Sequence, residues 1–294
     1  MAATAGSAAG VELPRVRPLR RGLRSVRRYP VLAGGGTVLI VLVVLALVGP
    51  GLLPHSAGAL NVEAILQSPG TEHWFGTDEL GRDLLARTVL GIRYSLIVSM
   101  VSVAAMILIA TTLGMTAGFF PGTYLDSAIM RLVDAMLALP YLVVVIVVVG
   151  SLGSSLSTVI VALAIGLSAP AVRVIRSATI AQGGLGYVLS AQAIGASTPR
   201  ILARHILPNI VSVLLIVASA AMGFAILAES ALSFLGLGPP PETATLGRIL
   251  AVSGQRYWDT APWLGVLPGG VLVVLVLAVN LVGDAVRDIL DPRP

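Results

Sequence analysis

Residues 187–209 read YVLSAQAIGASTPRILARHILPN, a run of small residues with one glycine and two arginines, set between two long apolar stretches. In a chain that is 56% hydrophobic, such an interruption needs a physical reason. Tyr187, Ala191, Ile194 and Gly195 fall at i, i+4, i+7 and i+8, which predicts one small, smooth face of a short helix. Gly195-Ala196-Ser197 then breaks that helix. Ser197 or Thr198 is placed to cap a second one, with Pro199 in its first turn and Arg200 and Arg204 four apart on a shared face. A short helix of this type, lying along a membrane surface, is built to dock into a groove on a partner.

The surrounding composition makes the membrane explicit. A mean hydropathy of +0.94 with only 11% charged residues over 294 positions belongs to an integral membrane protein. All 19 basic residues other than histidine are arginines, and they read as lipid-facing orientation signals rather than a nucleic-acid footprint. Cysteine is absent, which excludes disulfides and thiolate metal sites.

A hydrocarbon core of about 30 Å asks for roughly 20 apolar residues per helix. Six stretches qualify, at about 31–53, 95–119, 132–150, 156–172, 208–228 and 264–282. Pro50 and Pro54 end the first, Pro121-Gly122 ends the second, Pro140 predicts a kink in the third, and Pro208 and Pro262 stand at helix starts. The first run is too long for the apolar segment of a secretion signal, although Arg27-Arg28 precedes it and Ala57-Gly58-Ala59 resembles a cleavage box. Residues 1–28, rich in Ala, Gly and Arg without apolar periodicity, read as a disordered basic tail at the lipid surface, and 29–294 as one six-span transmembrane domain.

Six spans place both termini on one side. With cytoplasmic termini, 14 arginines lie inside and five, Arg82, Arg87, Arg93, Arg248 and Arg256, lie outside. The positive-inside rule therefore puts the termini and the segment from about 173 to 207 in the cytoplasm.

Catalytic chemistry is not written in the chain. The three histidines, His55, His73 and His205, make no metal-spaced helical pair, and Gly166-Leu167-Ser168 lacks a histidine in another span to serve as a base. Without lysine there is no Walker A sequence, and the middle of every span is free of Asp, Glu, Arg and His, so an ion-coupled carrier has no residues to carry its coupling. Energy is expected from another subunit, with no cofactor bound by this chain.

The loop resembles the cytoplasmic loop of ABC importer permeases, which begins Glu-Ala-Ala, carries a glycine a few residues on and closes on Leu-Pro before an apolar stretch. Ser190-Ala191, Gly195 and Ile206-Leu207-Pro208 match that pattern, and Leu189 stands at the acidic position. Three further segments are similar to the peptide branch, the oligopeptide and dipeptide permeases of the smaller type: HWFGTDELGRD (His73 to Asp83), ESALSFLGLG (Glu229 to Gly238) and NLVGDAVRDILDP (Asn280 to Pro292). Read from the residues alone, TDELGRD is a solvated turn with Asp78 as helix cap and Glu79, Arg82 and Asp83 pairing on the surface. ESALSFLGLG is an interfacial apolar helix stopped by Pro239-Pro240-Pro241, GDAVRDILDP is a short surface helix, and Trp258 and Trp263 are membrane-belt residues.

The resemblance implies an all-α membrane fold of six transmembrane helices, the type I ABC importer permease fold. It implies a coupling loop comprising Tyr187, Ser190, Ala191, Ile194, Gly195, Ala196, Arg200 and Pro208, and an outer mouth or gate at Asp78, Glu79, Arg82, Asp83, Glu229 and Phe234. With Leu189 in place of the acid, shape and burial would carry the docking contact, or a second permease subunit would supply the acid. The implied partners are that second homologous permease, two ATPase subunits carrying ATP and magnesium, an extracytoplasmic peptide-binding protein and membrane lipid, with no nucleic acid. The implied place is the bacterial inner membrane, with peptides as cargo. Nickel complexes or another small solute are the alternative cargo, and a stand-alone channel or secondary carrier, or a purely structural membrane anchor, is the alternative class.

Overall fold

The computed structural model describes residues 30–240 and 243–290. The 1–28 tail and the last four residues lie outside this range. Among the described residues the protein is helical throughout its regular structure, with a short 3-10 turn at Val62–Ala64 and nine longer helices: α1 Pro30–Leu52, α2 Leu84–Phe119, α3 Tyr124–Leu137, α4 Tyr141–Leu152, α5 Leu156–Gly183, α6 Gly186–Ala193, α7 Thr198–Phe234, α8 Leu246–Arg256 and α9 Trp263–Leu290. Five of them, α1, α2, α5, α7 and α9, are long and apolar enough to cross a bilayer, and the bent pair α3–α4 makes a sixth if it counts as one span.

Most helices outrun the apolar stretches that announce them. The stretch 95–119 is the later part of α2, whose 36 residues extend about 54 Å at 1.5 Å per residue. The stretch 156–172 is likewise the first part of α5, so that 173–183 is helix rather than loop. GDAVRDIL is the last part of α9 and ESALSF the last part of α7, where separate short helices are expected from the sequence.

The stretch 132–150 is two helices meeting at 93°. Pro140 has no N–H to continue the ladder, and its ring disfavours a helical Leu139, so the chain stops and restarts there. α3 is amphipathic and starts under a Thr123 cap that accepts from the Asp126 N–H, while α4 is apolar all round. On either side of this bent pair, α2 and α5 run parallel. Gly114 lies against Val172 and Ile175, and Gly118 against Arg176 and Thr179, so residue numbers rise together along the seam. For two consecutive long helices to be parallel, α3 and α4 must carry the chain back across.

That seam is packed around small residues. A Cβ on Gly118 would lie 2.6 Å from the Arg176 carbonyl oxygen. α9 returns antiparallel to α7, with Gly223 against Asn280 and Ser219 against Gly283, and α1 lies on the outside, touching Leu281 through Gly35 and Val89 through Gly49.

The bundle therefore has two ends. One, reached by the start of α2 and the finish of α7, holds the segments 53–83, 235–240 and 243–262. Its core contains Ile92, Ile226, Leu246 and Leu275. The other end holds the α2–α3 turn and residues 184–206, over a core that includes Met106, Ile175, Ile206 and Ile210.

Candidate functional site

At the second end, α6 is closed at its C-terminus by a complete Schellman motif. The Ala196 N–H donates to the Ala191 carbonyl at 3.0 Å and the Gly195 N–H to that of Gln192 at 2.9 Å, with Gly195 at φ +77°. The glycine is thus required by the backbone; a Cβ placed there would meet nothing within 4 Å.

The expected single face of Tyr187, Ala191, Ile194 and Gly195 is not what forms. The helix ends at Ala193, and the Schellman turn swings Ile194 outward to 85% exposure, while Ala191 turns inward. The inward side is Val188, 0% exposed, with Ala191, and both belong to the buried cluster that contains Val133, Ile175, Ile201 and Ile206. The outward side is Leu185, Leu189 and Ile194. Leu189, where the resemblance calls for an acid, is 52% exposed.

Ser197 precedes α7 without a side-chain cap bond, and Pro199 stands in the first turn. A π-turn, Leu202–Ile206, then interrupts α7. Pro208 explains it: the ring offers no N–H and crowds the carbonyl four residues back, so the helix widens and the Leu207 N–H reaches the Leu202 carbonyl instead. Asn209 Nδ2 adds a 2.6 Å bond to the His205 carbonyl. Tyr187 donates its hydroxyl to Gln182 Oε1 at 2.6 Å, and desolvation pushes that phenol above its ordinary value. Tyr187, Ser190, Ala191, Ile194, Gly195 and Ala196, with Arg200 and His205, line an open groove of about 390 Å³. Seven of the eight residues read from the sequence as the loop site therefore share one groove, and Pro208 shapes the helix beside it.

At the opposite end, TDELGRD is a folded knot rather than a solvated turn. Asp83, not Asp78, caps α2, accepting from the Ala86 N–H at 2.7 Å, because the helix begins at Leu84 and Asp78 comes too early to reach it. Asp78 is buried and takes the backbone N–H groups of Leu80 and Arg82 at 2.9 Å each. Its other oxygen faces Arg82 Nε at 2.7 Å and Arg87 Nε at 3.4 Å. Glu79 pairs with Arg82 at 3.3 Å. Gly81, at φ +70°, presses on Asn61, whose carbonyl oxygen leaves no room for a Cβ. Glu79 and Phe234 line a common cavity of about 460 Å³ with Arg248, Arg256 and Tyr257.

A family model described as "binding-protein-dependent transport system inner membrane component" matches residues 110–294. The chain belongs to this family. Among curated relatives, the dipeptide transport system permease protein of Alkalihalophilus pseudofirmus is 36% identical over 95% of this chain and 91% of its own. The glutathione transport system permease of Pectobacterium atrosepticum is 36% identical over 94% and 91%, and the oligopeptide transport system permease of Mycobacterium bovis 35% over 93% of each. A solved chain of the inward-facing MetNI methionine ABC transporter superposes with TM-score 0.57 at 19% identity, covering 71% of this chain and 96% of that one, a likeness in fold. The architecture is that of a type I ABC importer permease. A permease component is a non-catalytic membrane subunit, and this one is a multi-pass membrane protein.

Two features of the permease escape a reading of its sequence. Glu229, placed there at the outer mouth by resemblance, is 0% exposed, and its hydrogen-bond partners among the described residues are serine hydroxyls. Ser95 Oγ and Ser233 Oγ each donate to it at 2.8 Å. It does not line the cavity that Glu79 and Phe234 share, although its partner Ser233 does. The second feature is at the loop end, where Arg176 and Arg173 of α5 reach Asp126 and Asp134 of α3. No local pattern joins residues 50 positions apart; only the parallel return of α5 beside α2 brings them together.

Proposed function

We propose that this permease forms half of a translocation pathway for peptides in the inner membrane and that the 184–206 segment receives the motion of an ATPase subunit. The observation that carries the reading is the division of α6 into two apolar sides. One, Val188 and Ala191, is fixed in the bundle core; the other, Leu185, Leu189 and Ile194, is uncovered at the polar end of a membrane protein. Exposed apolar side chains grouped in this way mark an interaction site. A partner that grips the uncovered side would drag the core through the fixed side. Leu189 then contributes buried apolar area in place of a charge.

In this reading the segment faces the cytoplasm with the termini, and the 53–83, 235–240 and 243–262 segments face outward, as the arginine distribution asks. A second permease completes the pathway. Two ATPase subunits close on ATP and magnesium and switch the permease pair between inward-facing and outward-facing arrangements as rigid bodies. A binding protein delivers cargo to the outer mouth formed by Asp78, Glu79, Arg82, Asp83 and Phe234, with Glu229 holding α7 to α2 beneath it. The named cargo of the relatives, dipeptides, oligopeptides and glutathione, supports a peptide substrate.

Affinity purification of the tagged permease from its own cells, identification of the proteins retained, and uptake of labelled peptides into liposomes test this together. The expected result is a complex with a second permease and ATPase subunits, whose uptake requires ATP, and no uptake by the permease alone. ATP-independent uptake by the isolated chain would make it a channel or carrier, and uptake of nickel complexes but not peptides would replace the cargo.

A further inference from the structure

Three side chains that the transport reading leaves unused converge at the end of the bundle where α2 begins. His55 follows the Pro54 break after α1, and Glu72 and His73 lie in the loop before α2; one ligand atom from each lies within 4.8 Å of the others. The imidazole rings are 4.5 Å apart at their centroids.

The arrangement is braced from behind. His73 is buried, and its Nδ1 is 2.8 Å from Asp83 Oδ2, whose other oxygen is held by the Ala86 N–H. A carboxylate that takes one ring N–H fixes the tautomer and orientation of a histidine and leaves the other nitrogen as a lone-pair donor, which is how metal-ligating histidines are usually supported. His55 and Glu72 also line a cavity of about 180 Å³ with Leu53, Thr71 and Trp74, which gives an ion a route in.

We propose that His55, Glu72 and His73 bind a divalent transition-metal ion. Two imidazoles and a carboxylate form a donor set suited to zinc, with a fourth position left for water. Calcium and magnesium, which prefer all-oxygen shells, do not fit it. Bound there, the ion ties the end of α1 to the loop that precedes α2, joining the peripheral helix to the outer segments.

The permease, purified in detergent and stripped with a chelator, is dialysed against zinc alone, with bound metal counted per chain. Cobalt is substituted to read the ligand field by visible absorbance. The wild type is expected to hold one zinc per chain at about 10 μM free metal, and His55→Ala and Glu72→Ala each to bind at least about tenfold more weakly. Both substitutions sit at accessible positions and avoid the buried His73–Asp83 pair, and His205→Ala, at the other end, serves as the control that keeps wild-type binding. Wild-type occupancy well below one ion, or His55→Ala and Glu72→Ala variants that bind as tightly as the wild type, would overturn the site.

Discussion

The Arg176 guanidinium grips the Asp126 carboxylate with two parallel hydrogen bonds, Nε to Oδ1 at 2.6 Å and Nη2 to Oδ2 at 2.7 Å. Asp126 also takes the Gly122 N–H at 2.9 Å, so the pair holds the tight α2–α3 turn as well as α3 against α5. Asp126 is buried and Arg176 partly so, a setting where losing one partner strands a charge. Arg176→Ala is expected to destabilise the purified permease by about 2 kcal/mol, and Arg176→Lys, which keeps the charge but not the fork, by less. A double-mutant cycle with Asp126→Asn, read by thermal unfolding in nanodiscs, should show losses well short of additive. Additive losses would mean that the two side chains do not act on each other. The neighbouring Arg173–Asp134 pair, 53% exposed on each side, is expected to contribute below about 1 kcal/mol.

Gly195 gives a test that separates backbone from space. Its left-handed conformation admits Asn far better than a β-branched residue, and the open surroundings leave room for either side chain. Gly195→Val is therefore expected to insert normally but lose most ATP-dependent uptake, while Gly195→Asn keeps most of it. Equal loss in both variants would mean that the partner needs a bare surface at this position, and normal uptake in Gly195→Val would remove the docking role altogether.

Glu229 sits where α7 meets α2, and its requirements are those of a buried acceptor held by donors from two helices. Glu229→Gln retains an acceptor oxygen and an amide that both serines can use, and is expected to cost less than about 1 kcal/mol. Ser95→Ala, which removes a donor from a fully buried carboxyl, should cost about 1–3 kcal/mol. Chemical denaturation of the variants in mixed micelles orders them; Ser95→Ala milder than Glu229→Gln would contradict the assignment of Ser95 as an essential donor.

The legible part of this protein is what lipid forces. Apolar runs revealed every long helix, and Pro140 announced the bend because proline acts on its own neighbours; Pro208, read as standing at a helix start, follows the π-turn where the long apolar part of α7 begins. The positions of the loop residues in one groove were also visible, since they lie within a short segment. Their orientation was not: a helical wheel continued through Ile194 assumes a helix that the Schellman turn has already ended. The outer segment was misread for a similar reason. Asp78 looks like a cap only if the helix starts near it, and the start at Leu84 is decided by packing. Gly81 carries no local mark of its closeness to Asn61, and His55, Glu72 and His73 meet only after the chain folds.

Orientation is accessible to an experiment that this sequence makes clean, because the chain contains no cysteine. Single cysteines placed at Trp74 and Ile194, both well exposed and at opposite ends of the bundle, report the side of each end without background. Intact cells treated with a membrane-impermeant maleimide, their outer membrane opened where one exists, are expected to label Trp74→Cys and spare Ile194→Cys until the inner membrane is permeabilised. The physical basis is the bias of 14 arginines against five, which resists translocation of the richer side. Labelling of Ile194→Cys in intact cells would place α6 outside, beyond the reach of any cytoplasmic ATPase. If the ATPase covers Ile194, the same cysteine in permeabilised membranes should react slowly when the complex is assembled and quickly after the partner is stripped, so one variant reports both the side of the membrane and what docks there.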